Sequence, residues 1–283
     1  MKRLSIIMIV MLMTLGVVGY AQENQKVEVY TKVHINKKRP VPYPSIREAD
    51  VLWTKTIWRM IDLRQKINLP LYYPTKPIGD RMSLISLLLY GIQNEGLNVY
   101  DPEASEAKTE FDILMTPEQV MLAMDALDDT IDVQDENGFL KKEIVKGEPK
   151  VLEVKQVMLK EVWYFDKQHS VMRVQIVGIC PIRVFKKDEN SPQMVKKRTF
   201  WVYYPDVRPL FANHEMYNRH NDAQRISFDD FFMQRRFNGY IWAESNVYND
   251  RFINEYAIGL HSLQESNRIE EEIFRMEHDM WVY

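Results

Sequence analysis

The sequence predicts an α+β fold, an antiparallel β-meander flanked by N-terminal and C-terminal helices. Three observations predict it. Between residues 154 and 204 three runs, "VKQVMLKEVWYF", "VMRVQIVGICPIRVF" and "RTFWVYYP", are rich in β-branched and aromatic residues and alternate with a period of two. Short polar connections, "DKQHS" and "KKDENSPQMVKK", separate them, which favours antiparallel neighbours. On both sides of this region the apolar spacing changes to the helical i, i+3, i+4 pattern. Finally, 46% of the 283 residues are hydrophobic and 12% aromatic, enough apolar surface for a substantial core.

The first 21 residues read as a secretory signal peptide. Lys2 and Arg3 precede an apolar run from Ile6 to Val18, no acid occurs before Glu23, and Gly19 and Ala21 are the small residues a signal peptidase reads. The run is shorter than the roughly 20 residues a membrane span needs, and no later stretch reaches that length. Gln22 rather than Cys follows the cleavage point, so no lipid anchor is expected there. The expected product is exported to the periplasm and spans no membrane. Removing Lys2 and Arg3 takes the formal charge from −3 to −5, which argues against a nucleic-acid partner.

Residues 22–46 read as an extended arm, because "KKRPVPYPS" places three prolines at alternate positions. Such an arm is either loose or docked on a neighbouring subunit. Residues 47–150 read as a mainly helical lobe. Over 47–67, Trp53, Ile57, Met60 and Ile61 fall at i, i+4, i+7 and i+8, one face of a helix, and "NLPLYYPTKPIG" ends it. A second helix is expected over 80–93, closing near Gly96. A third starts at Thr116, with Pro117 in the first turn and Gln119 completing a capping box, and Val120, Met124 and Leu127 along one face. Residues 128–149 carry Gly138 and Gly147 between charged stretches and read as turns with one possible hairpin at a lobe boundary.

Residues 151–283 hold the meander and the C-terminal helices, although 47–283 can also be read as one domain. In the third strand Phe200, Val202 and Tyr204 share one face and Trp201 and Tyr203 the other. Both faces are apolar, so both should be covered, by helices on one side and a partner on the other. Near the end, Ile269, Ile273, Met276 and Met280 form one stripe of an amphipathic helix, and Glu270, Glu271, Arg275 and Asp279 fill the rest.

Motifs for catalysis are sparse. His214 and His220 are six residues apart and share no helical face, so no metal site is expected. There is no G-x-S-x-G elbow, no phosphate loop and no G-x-G-x-x-G, so neither a cofactor nor a nucleotide is expected. The single cysteine, Cys180, sits in an apolar run and reads as a buried core residue.

One stretch, "NDAQRISFDDFFMQRRF" at 221–237, allows two readings. Asp229 and Asp230 beside Arg235 and Arg236 could be a catalytic carboxylate pair, making the chain a periplasmic hydrolase. Alternatively Ser227 caps a helix with Asp230 closing the box, the acids lie in the first turn, the arginines in the last, and Gly239 is the left-handed end residue. Phe228, Phe231 and Phe232 then form one aromatic face, which covers either the core or a partner. On this reading Phe228, Phe231, Phe232, Arg235 and Arg236 are the candidate partner-binding residues and no residue is catalytic. A third option, a monomeric carbohydrate or peptide binder, rests on Trp and Tyr content alone.

Four stretches in order resemble one family: "DVLWTKTIWRMIDLRQKINLPLYYP", "FWVYYPDVRPLFANHEMYN", "NDAQRISFDDFFMQRRF" with "IWAESNVYNDR", and "IEEEIFRMEHDMWVY". Together they resemble the gliding-motility protein GldN family, which includes the PorN-type proteins of Bacteroidota, over most of the chain after Asp50. The resemblance implies a non-enzymatic structural subunit of the periplasmic ring of the type IX protein secretion and gliding-motility machinery. It further implies an outer-membrane lipoprotein partner of the GldK/PorK type, contacts with other secretion-system subunits, self-association in a ring, and attachment to the outer membrane through the partner.

Overall fold

The computed structural model describes residues 38–79, 81–103, 109–126, 129–134, 140–145, 147–187, 193–219, 221 and 223–280. The expected signal peptide, the arm up to residue 37 and Leu127 lie outside them.

The first element corrects the sequence reading. Residues expected to be helical form strand β1, Val51–Asp62. The helix-like spacing arose because the second half of β1 is buried on both faces, so apolar residues run almost continuously through Ile57, Trp58, Met60 and Ile61 instead of alternating. Val51, Thr54, Thr56, Ile57 and Ile61 are the β-branched residues that favour the strand. Within the segment expected to be a prolyl stop lies a short helix α1, Leu69–Tyr72, with Pro70 in its first turn. Helix α2, Leu84–Asn94, starts at Ser83, whose side chain accepts from the Ser86 amide. It stops before Gly96, near where it was expected to close, and Gly96 takes φ +66.

Strand β2, Val99–Tyr100, follows. Helix α3, Pro117–Ala123, has the Thr116–Gln119 capping box complete in both directions, and Val120 and Met124 are buried. The hairpin is present as β3, Asp129–Gln134, paired antiparallel with β4, Leu140–Val145. The meander is β5, Val154–Asp166, then β6, Val171–Lys186, then β7, Met194–Arg198, and β8, Trp201–Tyr203. The strand expected through Tyr204 gives way there to helix α4, Tyr204–Asn213, which the sequence reading missed. Its signal was Pro205 in the first helical turn, where a missing amide removes no intrahelical hydrogen bond.

Strands β9, Glu215–Met216, and β10, Ile226–Ser227, pair with each other and lead into helix α5, Phe228–Met233. Strand β11, Tyr240–Glu244, then helices α6, Ile253–Tyr256, and α7, Leu260–Asp279, complete the described chain.

The main sheet has seven strands in the order β11-β1-β5-β6-β8-β2, with β7 also on β6. Cross-strand partners share a face. Leu159, Ile179 and Val202 lie opposite one another and enter the main core with α2, α4 and α5. One residue away, Met60, Met158 and Cys180 align on the reverse face and pack with Trp201 and Ala243. This reverse face, expected to need a partner, is covered partly by the chain itself. The Phe111 ring lies over Gly178, where a Cβ would approach its Cζ to 2.5 Å, and it meets Trp201 edge-on. Helix α7 buries Ser266, Ile269 and Ile273, the isoleucines against Ile57 and Ile241, while Met276 and Met280 of the expected stripe are half-buried.

Because β1 pairs with β5 along its length and with β11, residues of the expected helical lobe and of the meander share one sheet.

Candidate functional site

The stretch 221–237 contains a helix and its two ends. Ser227 accepts from the Asp230 amide at 3.1 Å, and Asp230 returns the contact to the Ser227 amide at 3.3 Å. Residue 38, at the start of the described arm, joins here: Lys38 pairs with Asp230 and donates to the Ser227 hydroxyl at 3.3 Å. Burial raises the Asp230 carboxyl, but Lys38 and Ser227 outweigh it and hold the carboxyl below its ordinary value.

The neighbouring acid has a different role from the expected one. Asp229 lies in the first turn as expected, but it is also buried and takes the Arg208 guanidinium of α4 at 2.9 and 3.2 Å and the Tyr204 hydroxyl at 3.2 Å. The Tyr43 ring closes over Arg208 at 4.3 Å. Burial, the largest influence, pushes the Tyr43 hydroxyl up to about 12. Lys38 and Tyr43 thus tie residues 38–45 of the arm to the chain's own body.

The aromatic face covers the protein's own core. Phe228, Phe231 and Phe232 are 0%, 5% and 0% exposed, and Phe232 stacks on Phe211 of α4 with ring centres 5.7 Å apart. Of the two surfaces the sequence allowed for this face, the core is the one it is seen to cover: Phe228 and Phe232 both meet Phe211 of α4, a helix the sequence reading missed.

The helix also ends sooner than expected. Arg235, not Gly239, takes the left-handed conformation, with φ 50. Its amide bonds the Phe232 carbonyl and the Arg236 amide the Phe231 carbonyl, each at 3.1 Å, which is a Schellman end. Arg235 then turns inward to Glu161, a wholly buried carboxylate, at 3.0 Å. Arg59 approaches the same carboxylate at 3.4 Å and the Trp163 indole donates to it at 3.2 Å. Arg235 is therefore a structural counter-ion. Gly239 has another reason to be glycine, since a Cβ there would lie 2.7 Å from the Met60 carbonyl oxygen.

Of the five candidates, Arg236 alone is exposed, and it leads to a surface that the sequence reading missed. Two adjoining depressions of about 550 and 500 Å³ share Lys66, Pro70, Tyr217 and Arg219. Ile67, Tyr73, Ile78 and the edge of Phe231 supply apolar lining. The charged side chains lining the groove are Lys66, Arg81, Arg219 and Arg236, and none forms an ion pair with a described carboxylate. Arg81 lies over the Tyr217 ring at 4.9 Å. The groove draws on three separated segments, which is why no local pattern exposed it.

A third depression of about 580 Å³ lies on the reverse face beside Trp58, Lys160 and Trp201. Its Glu110 is already engaged, pairing with Lys160 at 2.5 Å and accepting from the Trp58 indole at 3.1 Å. Asp229 and Asp230 line none of these three depressions. Among the described residues no three His, Cys, Asp or Glu side chains converge as a metal ion requires, and no helix is long and apolar enough to cross a membrane.

A family model described as "Gliding motility associated protein GldN" matches residues 46–282. No curated protein matches the chain.

Proposed function

The chain belongs to the GldN family of gliding motility associated proteins, a structural component of gliding-motility and type IX secretion machinery, and from that premise we propose that it is a non-enzymatic subunit of the machine's periplasmic ring. In this role it is exported and is held at the outer membrane by a lipoprotein of the GldK/PorK type. The observation that carries the reading is the extent of the family match, residues 46–282, which takes in the sheet and every described helix. The local chemistry supports it. Both acids of the hydrolase alternative are committed to structure, Asp229 to Arg208 and Asp230 to the helix cap. A general acid or base needs access to a substrate proton, and a carboxylate locked under Tyr43 and Arg208 has none.

Two measurements on cells of the source organism test the proposal. Deleting the gene should abolish export of the proteins that depend on the machine. Affinity capture of the tagged full chain from solubilised envelopes should recover a GldK/PorK-type lipoprotein in near-stoichiometric amount. Undiminished export after deletion, or capture without that lipoprotein, overturns it.

A further inference from the structure

The groove beside Arg236 has a complementary counterpart on the same chain. Helix α7 is docked through Ser266, Ile269 and Ile273, yet Phe274, the next residue, is 68% exposed. Glu270, Glu271 and Glu277 lie at i−4, i−3 and i+3 from it and are therefore its neighbours on the helix surface. Glu270 also reaches Arg59 at 3.3 Å, and Glu271 meets the exposed Arg275 at 3.4 Å. Leu260 and Leu263, both exposed, fall on the same side of the helix at 100° per residue and lengthen the apolar strip. The result is an aromatic projection flanked by three carboxylates, with His278 at i+4. The groove is the converse, an apolar floor ringed by four cations.

We propose that Phe274 and the acidic face of α7 insert into the Lys66–Arg81–Arg219–Arg236 groove of a second copy of this chain. The assignment deepens the ring-subunit reading above and rests on it. The occupant follows from charge and shape: each depression is large enough for a phenyl ring, and glutamates on the projection meet rim cations that pair with no described carboxylate. The two surfaces are different patches, so the contact is heterologous. Each copy uses its projection on one neighbour and offers its groove to another, and such contacts run on into rings or filaments instead of stopping at a dimer.

Site-directed cross-linking tests the contact in intact cells. Cys180 is fully buried, so it contributes little background to a thiol-reactive reagent. The full chain carrying both Tyr217→Cys and Phe274→Cys is treated with a short bis-maleimide. A ladder of dimers, trimers and higher species is expected, and neither single variant should give one. Adding Arg219→Glu with Arg236→Glu should lower the ladder at least tenfold, and adding Glu271→Arg with Glu277→Arg to that background should restore it. No ladder in cells that still export overturns the contact while leaving the ring-subunit reading standing. A dimer from either single variant, meaning like meets like, also overturns it. Loss of export on gene deletion is the separate readout for the function itself.

Discussion

Arg208 and Asp229 show how one buried pair constrains the chemistry of a whole stretch. Two charges removed from water are tolerable when each satisfies the other, and removing one leaves the other unpaired at a penalty of about 3–5 kcal/mol. Asp229→Ala should therefore lower the unfolding free energy by about that amount, measured by urea denaturation. In cells its effect on export should follow the loss of folded protein and not exceed it. Asp230 gives a pH signature. Its carboxyl sits below the ordinary value in the folded state, so its contribution is fully present above the unfolded pKa of about 4 and fades as pH falls through the lower folded value. Lys38→Met removes one of the lowering contacts and should flatten the acid limb of the stability profile below about pH 4, read from urea midpoints across pH. Burial pushes the Cys180 thiol up to about 12, so little thiolate forms at neutral pH. Alkylation of Cys180 should be negligible in the native chain and complete in urea, which mass spectrometry of the intact protein checks.

At the scale of elements, α5 combines local and long-range control. Its start was legible because a capping box lies wholly within four residues: Ser227 and Asp230 sit at the required spacing whatever surrounds them. Its end was not, because Arg235 adopts a left-handed turn that is offset by contacts with Glu161 and Trp163, far away in sequence. Ser227→Ala should destabilise the chain by about 1 kcal/mol through loss of the cap. The approach of Gly239 to β1 offers a sharper test. The atom that a Cβ would meet is backbone, the Met60 carbonyl at 2.7 Å, and cannot swing aside. Gly239→Ala should displace β11 from β1 and lower stability by about 1–3 kcal/mol, with the loss of amide-exchange protection concentrated at 240–244.

For the whole molecule, β1 is decisive, because it places 51–62 between β5, from the middle of the chain, and β11, from its last fifth. We propose that 47–283 folds as one domain instead of two lobes. The expected outcome is a single urea transition, reported identically by far-ultraviolet dichroism and by tryptophan fluorescence from both Trp58 and Trp201 environments. Two resolved transitions would favour separate lobes. The meander, the capped helices α2, α3 and α5, and the docked stripe of α7 were all readable from periodicity and caps. The helix expected at 47–67 failed because a strand buried on both faces loses the alternation that marks a strand.

The sequence by itself determined the fold class, the capping boxes, the family and the buried fate of Cys180, since each depends on residues close together or on the order of recognisable blocks within one chain. Only the tertiary structure decided what the aromatic face of α5 covers, where Asp229 and Arg235 spend their charge, and which surface remains for a partner. Those outcomes depend on α4 meeting α5, on β1 lying beside β5, and on Lys66, Arg81, Arg219 and Arg236 converging from distant positions. Burial and pairing are properties of neighbours in space, and those neighbours are set by sheet register and helix packing, which no local pattern encodes.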